Sequence, residues 1–346
     1  MLVAGRRSDP ARFWRRAVWF SLFVLLLSLL SLAPYLTSST EVVRLRHALL
    51  LADDEAVGFD WTPTKLPNDY LIERAAPDPV FVEAIARLDL ASLPSDWERA
   101  LAISRHLLGS SPVLLGGAIQ SDLVDTYRRI VGRGEGYCGD FVRAFSGLAI
   151  AAGIPVRAWA FSFDGFGGHG HVWVEIWNRQ LERWQLLDVF NNYYFVGVEN
   201  IPLSALDFRR ALLENPATVH LAPLHPAARP GAQSEEKMWD YYRRGLPEWW
   251  MVWGNNVFSY DRAFLVRTLG SFSRSLEQLG GIAQGVYPAM RIVSEPSNQR
   301  QRENIYRLRN HLRLVGIAVA VALLLLLFSL TKVWAIRRRL VTRSER

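Results

Sequence analysis

The chain has 346 residues, a net charge of +7 and a single cysteine. One cysteine excludes an internal disulfide framework and any metal cluster built on several thiolates. The charge does not point to nucleic acid. Five arginines against one aspartate in residues 1–16, and six cations against one glutamate in residues 332–346, account for +9 and leave the middle of the chain at −2.

Both ends carry long uncharged apolar runs, residues 17–36 and 314–336, with Lys332 able to snorkel from the second. Each is close to the ~20 apolar residues that cross a bilayer, and each is apolar on every face, unlike a helix packed on a soluble core. Arg6, Arg7, Arg12, Arg15 and Arg16 precede the first run, which predicts a cytoplasmic amino terminus. Two spans then return the carboxyl terminus to the cytoplasm and leave the middle outside it. A cleaved signal sequence is the alternative for the first run. Its length and the Ala33-Pro34 pair favour an uncleaved anchor.

Residues 37–77 carry prolines at 63, 67 and 77 and read as an irregular linker. From Asp78 the spacing turns helical, with Val82, Ile85, Ala86 and Leu88 near one face. Ser95 reads as the N-cap of a helix to Leu108 that Gly109 stops, and a third helix is expected from Asp122 to Val131, ending at Gly132. The glycine-rich stretch GRGEGYCGD then leads into a helix with Phe141, Phe145, Leu148 and Ala152 on one face, closed by Gly153 and Pro155. Three runs rich in aromatic and β-branched residues follow, 156–163, 171–177 and 184–190, and read as strands. Helices followed by strands make an α+β domain. Residues 201–312 hold a loop-like stretch near Pro223 to Gly231 and an aromatic cluster of Trp239, Tyr241, Tyr242, Trp249, Trp250 and Trp253. Core packing or contact with the membrane interface is favoured for that cluster over a carbohydrate or peptide platform.

Cys138 lies where the glycine loop enters its helix. Exposed amides and the positive end of the helix dipole stabilise a thiolate there and can serve a developing oxyanion. Gly136 and Gly139 leave room for substrate backbone, and Tyr137 sits between them. A lone cysteine is more often just a small buried side chain, so the nucleophile reading needs a base. The two strands after 170 supply one. A register in which residues 177 and 182 face each other, across an Arg179-Gln180 turn, sets His171 directly opposite Asp188, near enough for the carboxylate to hold the imidazole. Asp188 would fix the tautomer of His171, which would take and return the Cys138 proton. His169, in the loop DGFGGHG, competes for the base role or contacts substrate at the mouth of the site.

The blocks GEGYCGDFVRAFSGLAIAAGIPVRAW, HVWVEIW and WQLLDVF resemble the transglutaminase-like superfamily over roughly residues 95–195. The resemblance implies a papain-like core, a helix bearing the cysteine packed on an antiparallel sheet bearing histidine and aspartate, here flanked by two transmembrane helices. It also implies thioester chemistry on an amide, with Cys138 as nucleophile, His171 as base and Asp188 as orienting carboxylate. Trp173 and Glu175 match as well and are expected to buttress the site. Asp188 is followed by Val-Phe-Asn-Asn where many relatives have proline. No oxyanion side chain can be assigned beyond Gln120, a weak candidate.

The expected organisation is a cytoplasmic basic tail (1–16), a span (17–36), a linker (37–77), the transglutaminase-like domain (78–200), an aromatic-rich extension (201–312), a span (314–336) and a second basic tail (337–346). The leading functional reading is an extracytoplasmic cysteine acyltransferase or hydrolase acting on a protein, peptide or other amide-bearing envelope substrate, with no cofactor, metal or nucleic acid. A catalytically inactive scaffold of an envelope or polysaccharide assembly complex, with partner proteins to match, is the alternative.

Overall fold

The computed structural model describes residues 11–52, 58–109, 116–228, 231 and 234–344. Residues 1–10 of the expected amino-terminal tail, 53–57 of the linker, 229 and 230 of the loop near Pro223, and the last two residues lie outside the described residues. Two units partition the chain, one of residues 1–49 with 303–346 and one of residues 50–302.

The first unit contains the two helices long and apolar enough to cross a membrane, within Arg12–Leu36 and Pro296–Arg339. Where an irregular linker is expected, a further helix runs over Ser39–Leu50. Its run STEVVRLRHALL holds neither glycine nor proline, so no residue in it breaks a helix.

The second unit is α+β. Its seven-stranded sheet comprises β1 (Val156–Ser162), β2 (Gly170–Asn178), β3 (Arg183–Asp188), β4 (Tyr193–Val196), β5 (His220–Pro223), β6 (Glu248–Trp253) and β7 (Ala289–Ile292), in the order β5-β4-β3-β2-β1-β6-β7. Every pairing is antiparallel. Residues 201–312 thus add three strands to the sheet that carries His171 and Asp188.

Side-chain alternation along β1 and β2 divides the interior in two. Val156, Val174, Ile176 and Leu187 face the helices Pro79–Arg87, Asp96–Gly109, Leu123–Arg133 and Cys138–Ala151, whose Phe81, Ile103, Ile130, Phe141, Phe145 and Leu148 complete one core. On the other face Trp159, Phe161 and Trp173 pack with Phe195, Phe208, Tyr242, Trp249, Met251 and Trp253. Trp249 and Trp253 are fully buried, which makes their cluster core packing. The helix after Asp78 buries Phe81 and Ala84 and leaves Val82 exposed, so its inward face is turned from the one expected. Phe81 is the largest apolar side chain available and it fills the space beside Tyr127, Phe258 and the bare Cα of Gly147. The helix before the cysteine ends at Gly134, not Gly132, because Gly134 takes the left-handed conformation that a C-cap requires.

The β2–β3 register also departs from expectation. Trp177 faces Trp184 and Asn178 faces Arg183, so residues 179–182 form the connection instead of Arg179 and Gln180 alone. A two-residue loop needs positive φ at its centre, which Arg-Gln resists. Here the positive φ falls on Glu182, and the loop is pinned elsewhere: Arg179 grips Asp96 through both its backbone N–H (3.1 Å) and its guanidinium (2.7 Å). A slip of two residues preserves sheet faces. His171 and Asp188 therefore share a face as diagonal neighbours and are not directly opposed.

Candidate active site

Cys138 is the first residue of the helix Cys138–Ala151 and is partly exposed. Asp140 sets that helix start. Its Oδ2 accepts the N–H of Tyr137 (2.9 Å) and of Ile119 (3.2 Å), which ties the glycine loop and residues 116–119 to one carboxylate. Gly136 has φ of +111°, a conformation side chains resist, and a Cβ there would lie 3.2 Å from Asp140. The Tyr137 carbonyl accepts from Asp140 and Phe141 (2.9 and 3.1 Å). The amides of Cys138 and Gly139 belong to the first turn, which has no carbonyl partner within the helix, and they border the sulfur.

His171, the second residue of β2, directs Nε2 at Asp188 Oδ2, 2.8 Å away, and both side chains are buried. Nδ1 is then the ring nitrogen left for Cys138, whose sulfur is near enough to raise the pKa of the imidazole. The helix bearing the cysteine packs on the opposite face of the sheet, so sulfur and imidazole meet at the start of β2, where Gly139 approaches Val172. Burial alone would lower the pKa of His171. The Asp188 carboxylate and the Cys138 sulfur outweigh burial and push it up to about 10.

Asp188 is held by more than the imidazole. Tyr242 donates its hydroxyl to Oδ2 (2.7 Å), Asn191 donates Nδ2 to the same oxygen (2.8 Å), and the Asn191 N–H reaches Oδ1 (3.2 Å). Tyr241 packs its ring 5.7 Å from that of His171 and donates its hydroxyl to the Gly170 carbonyl (2.8 Å), which fixes the start of β2. Burial, reinforced by the nearby acidic groups, holds both phenols well above their ordinary pKa, so they remain neutral donors. Trp173 meets His171 edge on at 5.6 Å, and Phe190 lies between Phe141 and Tyr137.

The remaining sequence candidates separate by position. Glu175 is fully buried on the far side of Trp173. It binds Arg157 Nε (2.6 Å), Trp159 Nε1 (2.8 Å) and the Ala205 N–H (2.7 Å), and is committed to structure. His169 is largely exposed and 3.6 Å from Asp164. Gln120 is exposed on the residues leading to Asp122. Tyr242, Tyr241, Asn191 and Asp140 are site residues that the sequence does not single out. Only the last two had a local signal, a side chain three residues from a cap or turn.

Residues 90–189 match the family model described as the transglutaminase-like superfamily. The chain carries a transglutaminase-like domain. The match ends one residue beyond Asp188, so the Tyr241 and Tyr242 contacts come from outside the matched part of the transglutaminase-like domain. No curated protein and no solved structure matches the chain.

Proposed function

We propose that this protein is a membrane-anchored cysteine enzyme that transfers or hydrolyses the acyl group of an amide, with Cys138, His171 and Asp188 as its triad. The observation that carries the reading is the buried imidazole held between a carboxylate at 2.8 Å and a partly exposed thiol at a helix start. With the proton held on His171 Nδ1, the Cys138 sulfur attacks the amide carbonyl carbon as the thiolate. The oxyanion that forms is met by the first-turn amides of Cys138 and Gly139. Collapse breaks the C–N bond, the amine leaves with the proton from His171, and a thioester remains on Cys138. Water or a second amine, deprotonated by His171, attacks that thioester and restores the thiol. Asp188 holds the ring so that Nδ1 faces sulfur throughout.

The two apolar helices support insertion in a membrane, and the arginines ahead of the first favour both termini in the cytoplasm with residues 50–302 outside it. An amide-bearing envelope protein or peptide is then the accessible substrate.

The test is a thiol-directed activity probe on the full chain, with mass spectrometry of the labelled peptide. Selective labelling of Cys138 that collapses in His171→Ala supports the enzyme, and the mass of an acyl-Cys138 adduct identifies the donor. Labelling no faster than a free thiol in solution overturns it.

A further inference from the structure

In the helix pair Phe264–Gly270 and Arg274–Ala283, the second helix is built inside out, burying Glu277, Gly280 and Gly281. Its charged pair points inward: Glu277 is buried, accepts from Arg274 at 2.7 and 2.8 Å, and accepts the Tyr260 hydroxyl at 3.1 Å. Gly280 and Gly281 let the pair close tightly, since a Cβ on either would collide with the Leu265 carbonyl or the Tyr260 ring. Val266 is buried, but four large apolar side chains point out. Phe264 is 71% exposed, Phe272 at the connection 74%, and Leu276 and Leu279, one helical turn apart, 40% and 50%. None of the four joins the small core of Tyr260, Ala263 and Val266 beneath them. A surface helix in water has the reverse polarity.

We propose that this hairpin lies in the headgroup region of an anionic bilayer, on the side that faces residues 50–302, as a peripheral contact additional to the two spans. The charge fits that occupant. Residues 262–285 carry Arg262, Arg267 and Arg274 against Glu277 alone, and Arg262 and Arg267 are exposed within three residues of the outward Phe264. Aromatic and aliphatic side chains rimmed by arginine are what anionic lipid interfaces take up. A second copy docked face to face would instead bring the same arginines together. The bilayer is also supplied by the chain itself, through the two helices long and apolar enough to cross it. The inference rests on that membrane reading and not on catalysis.

The test uses the full chain in nanodiscs of phosphatidylcholine with phosphatidylglycerol, labelled either by a carbene precursor borne on lipid or by a water-soluble one, with sites read by mass spectrometry. The expected result is a high ratio of lipid-borne to water-borne labelling over residues 264–283. That ratio falls to the level of the exposed Val198 in the double variant Phe272→Asp, Leu276→Asp, and in nanodiscs of phosphatidylcholine alone it drops part of the way. An unfolding midpoint unchanged from that of the natural chain reports that the double variant remains folded. Spans labelled by lipid but a hairpin no different from Val198 overturns the proposal while leaving the anchors intact. Spans unlabelled overturns both. Crosslinks from residues 264–283 to a second copy, without lipid adducts, also overturn it.

Discussion

The hydroxyl of Tyr242 donates to Oδ2 of Asp188 at 2.7 Å, the oxygen that also faces Nε2 of His171 at 2.8 Å. With Asn191 as a third donor, that oxygen is fixed in rotation and its lone pairs are saturated. Tyr242 therefore positions the imidazole through the carboxylate without touching the sulfur. Replacing it by Phe keeps the ring that packs on Trp173 and Phe195 and removes only the donor. A lost hydrogen bond to a buried charge costs about 1.5–3 kcal/mol of stability. A carboxylate held by Asn191 and His171 without the phenol is expected to slow alkylation of Cys138 about tenfold, the rate equivalent of about 1.4 kcal/mol. Thermal unfolding and iodoacetamide kinetics on Tyr242→Phe measure both. An unchanged alkylation rate together with a lowered unfolding midpoint would reduce Tyr242 to packing.

The raised pKa of His171 has a definite sign in stability. The folded-state value of about 10 exceeds the ~6.5 of an unfolded histidine, so between those limits the folded chain binds the extra proton. The stabilisation is complete below pH ~6.5 and is lost as pH rises toward about 10. The gap in unfolding midpoint between the natural chain and His171→Gln should accordingly shrink as pH increases across this window. In Asp188→Asn the upper edge should move downward, because the strongest influence raising the pKa has gone. A gap that stays constant with pH would contradict the charged imidazole.

The parts of this fold that were legible in the sequence are those in which a local pattern reports a local constraint. Cys138 at a glycine-flanked helix start, the three strands through Asp188, and the shared face of His171 and Asp188 all follow from periods of 3.6 and 2 and from glycine punctuation. The register lies two residues from the one the sequence predicts because Arg179 and Asp96, 83 positions apart, decide where the hairpin turns. Tyr242 was invisible as a site residue for the same reason. Its partner lies 54 residues away, and nothing within the run WDYYRRG distinguishes the phenol that reaches Asp188 from its neighbours. The inside-out helix Arg274–Ala283 defeats a pattern reading altogether, since apolar spacing on a helix is ordinarily taken to mark its buried side.

Glu175 offers a contrast between matching a motif and doing chemistry. It neutralises Arg157, which is buried among Trp61, Trp159 and Trp184 with ring distances from 4.0 to 5.6 Å. Glu175→Ala leaves that guanidinium unpaired in the interior, a change that costs about 3–5 kcal/mol. The expected phenotype is a large drop in unfolding midpoint, with normal alkylation kinetics in whatever fraction remains folded. A stably folded Glu175→Ala protein whose Cys138 no longer reacts would instead argue for a part in the reaction.

His169 and His171 stand two residues apart and compete on paper for the role of base. The structure gives them opposite surroundings: His171 is buried against Asp188, whereas the His169 ring is exposed with Asp164 at 3.6 Å, and the same Asp164 accepts the Gly167 and His169 N–H groups at 2.9 and 3.2 Å. That aspartate shapes the loop, and the His169 ring contributes little to it. Surface substitutions of this kind stay within about 0.5 kcal/mol, so His169→Ala should retain alkylation of Cys138 to within about twofold. His171→Ala should all but abolish it, since the thiol then has no adjacent base. Side-by-side alkylation kinetics on the two variants give the answer, and equal losses would mean that the loop histidine, after all, reaches the sulfur.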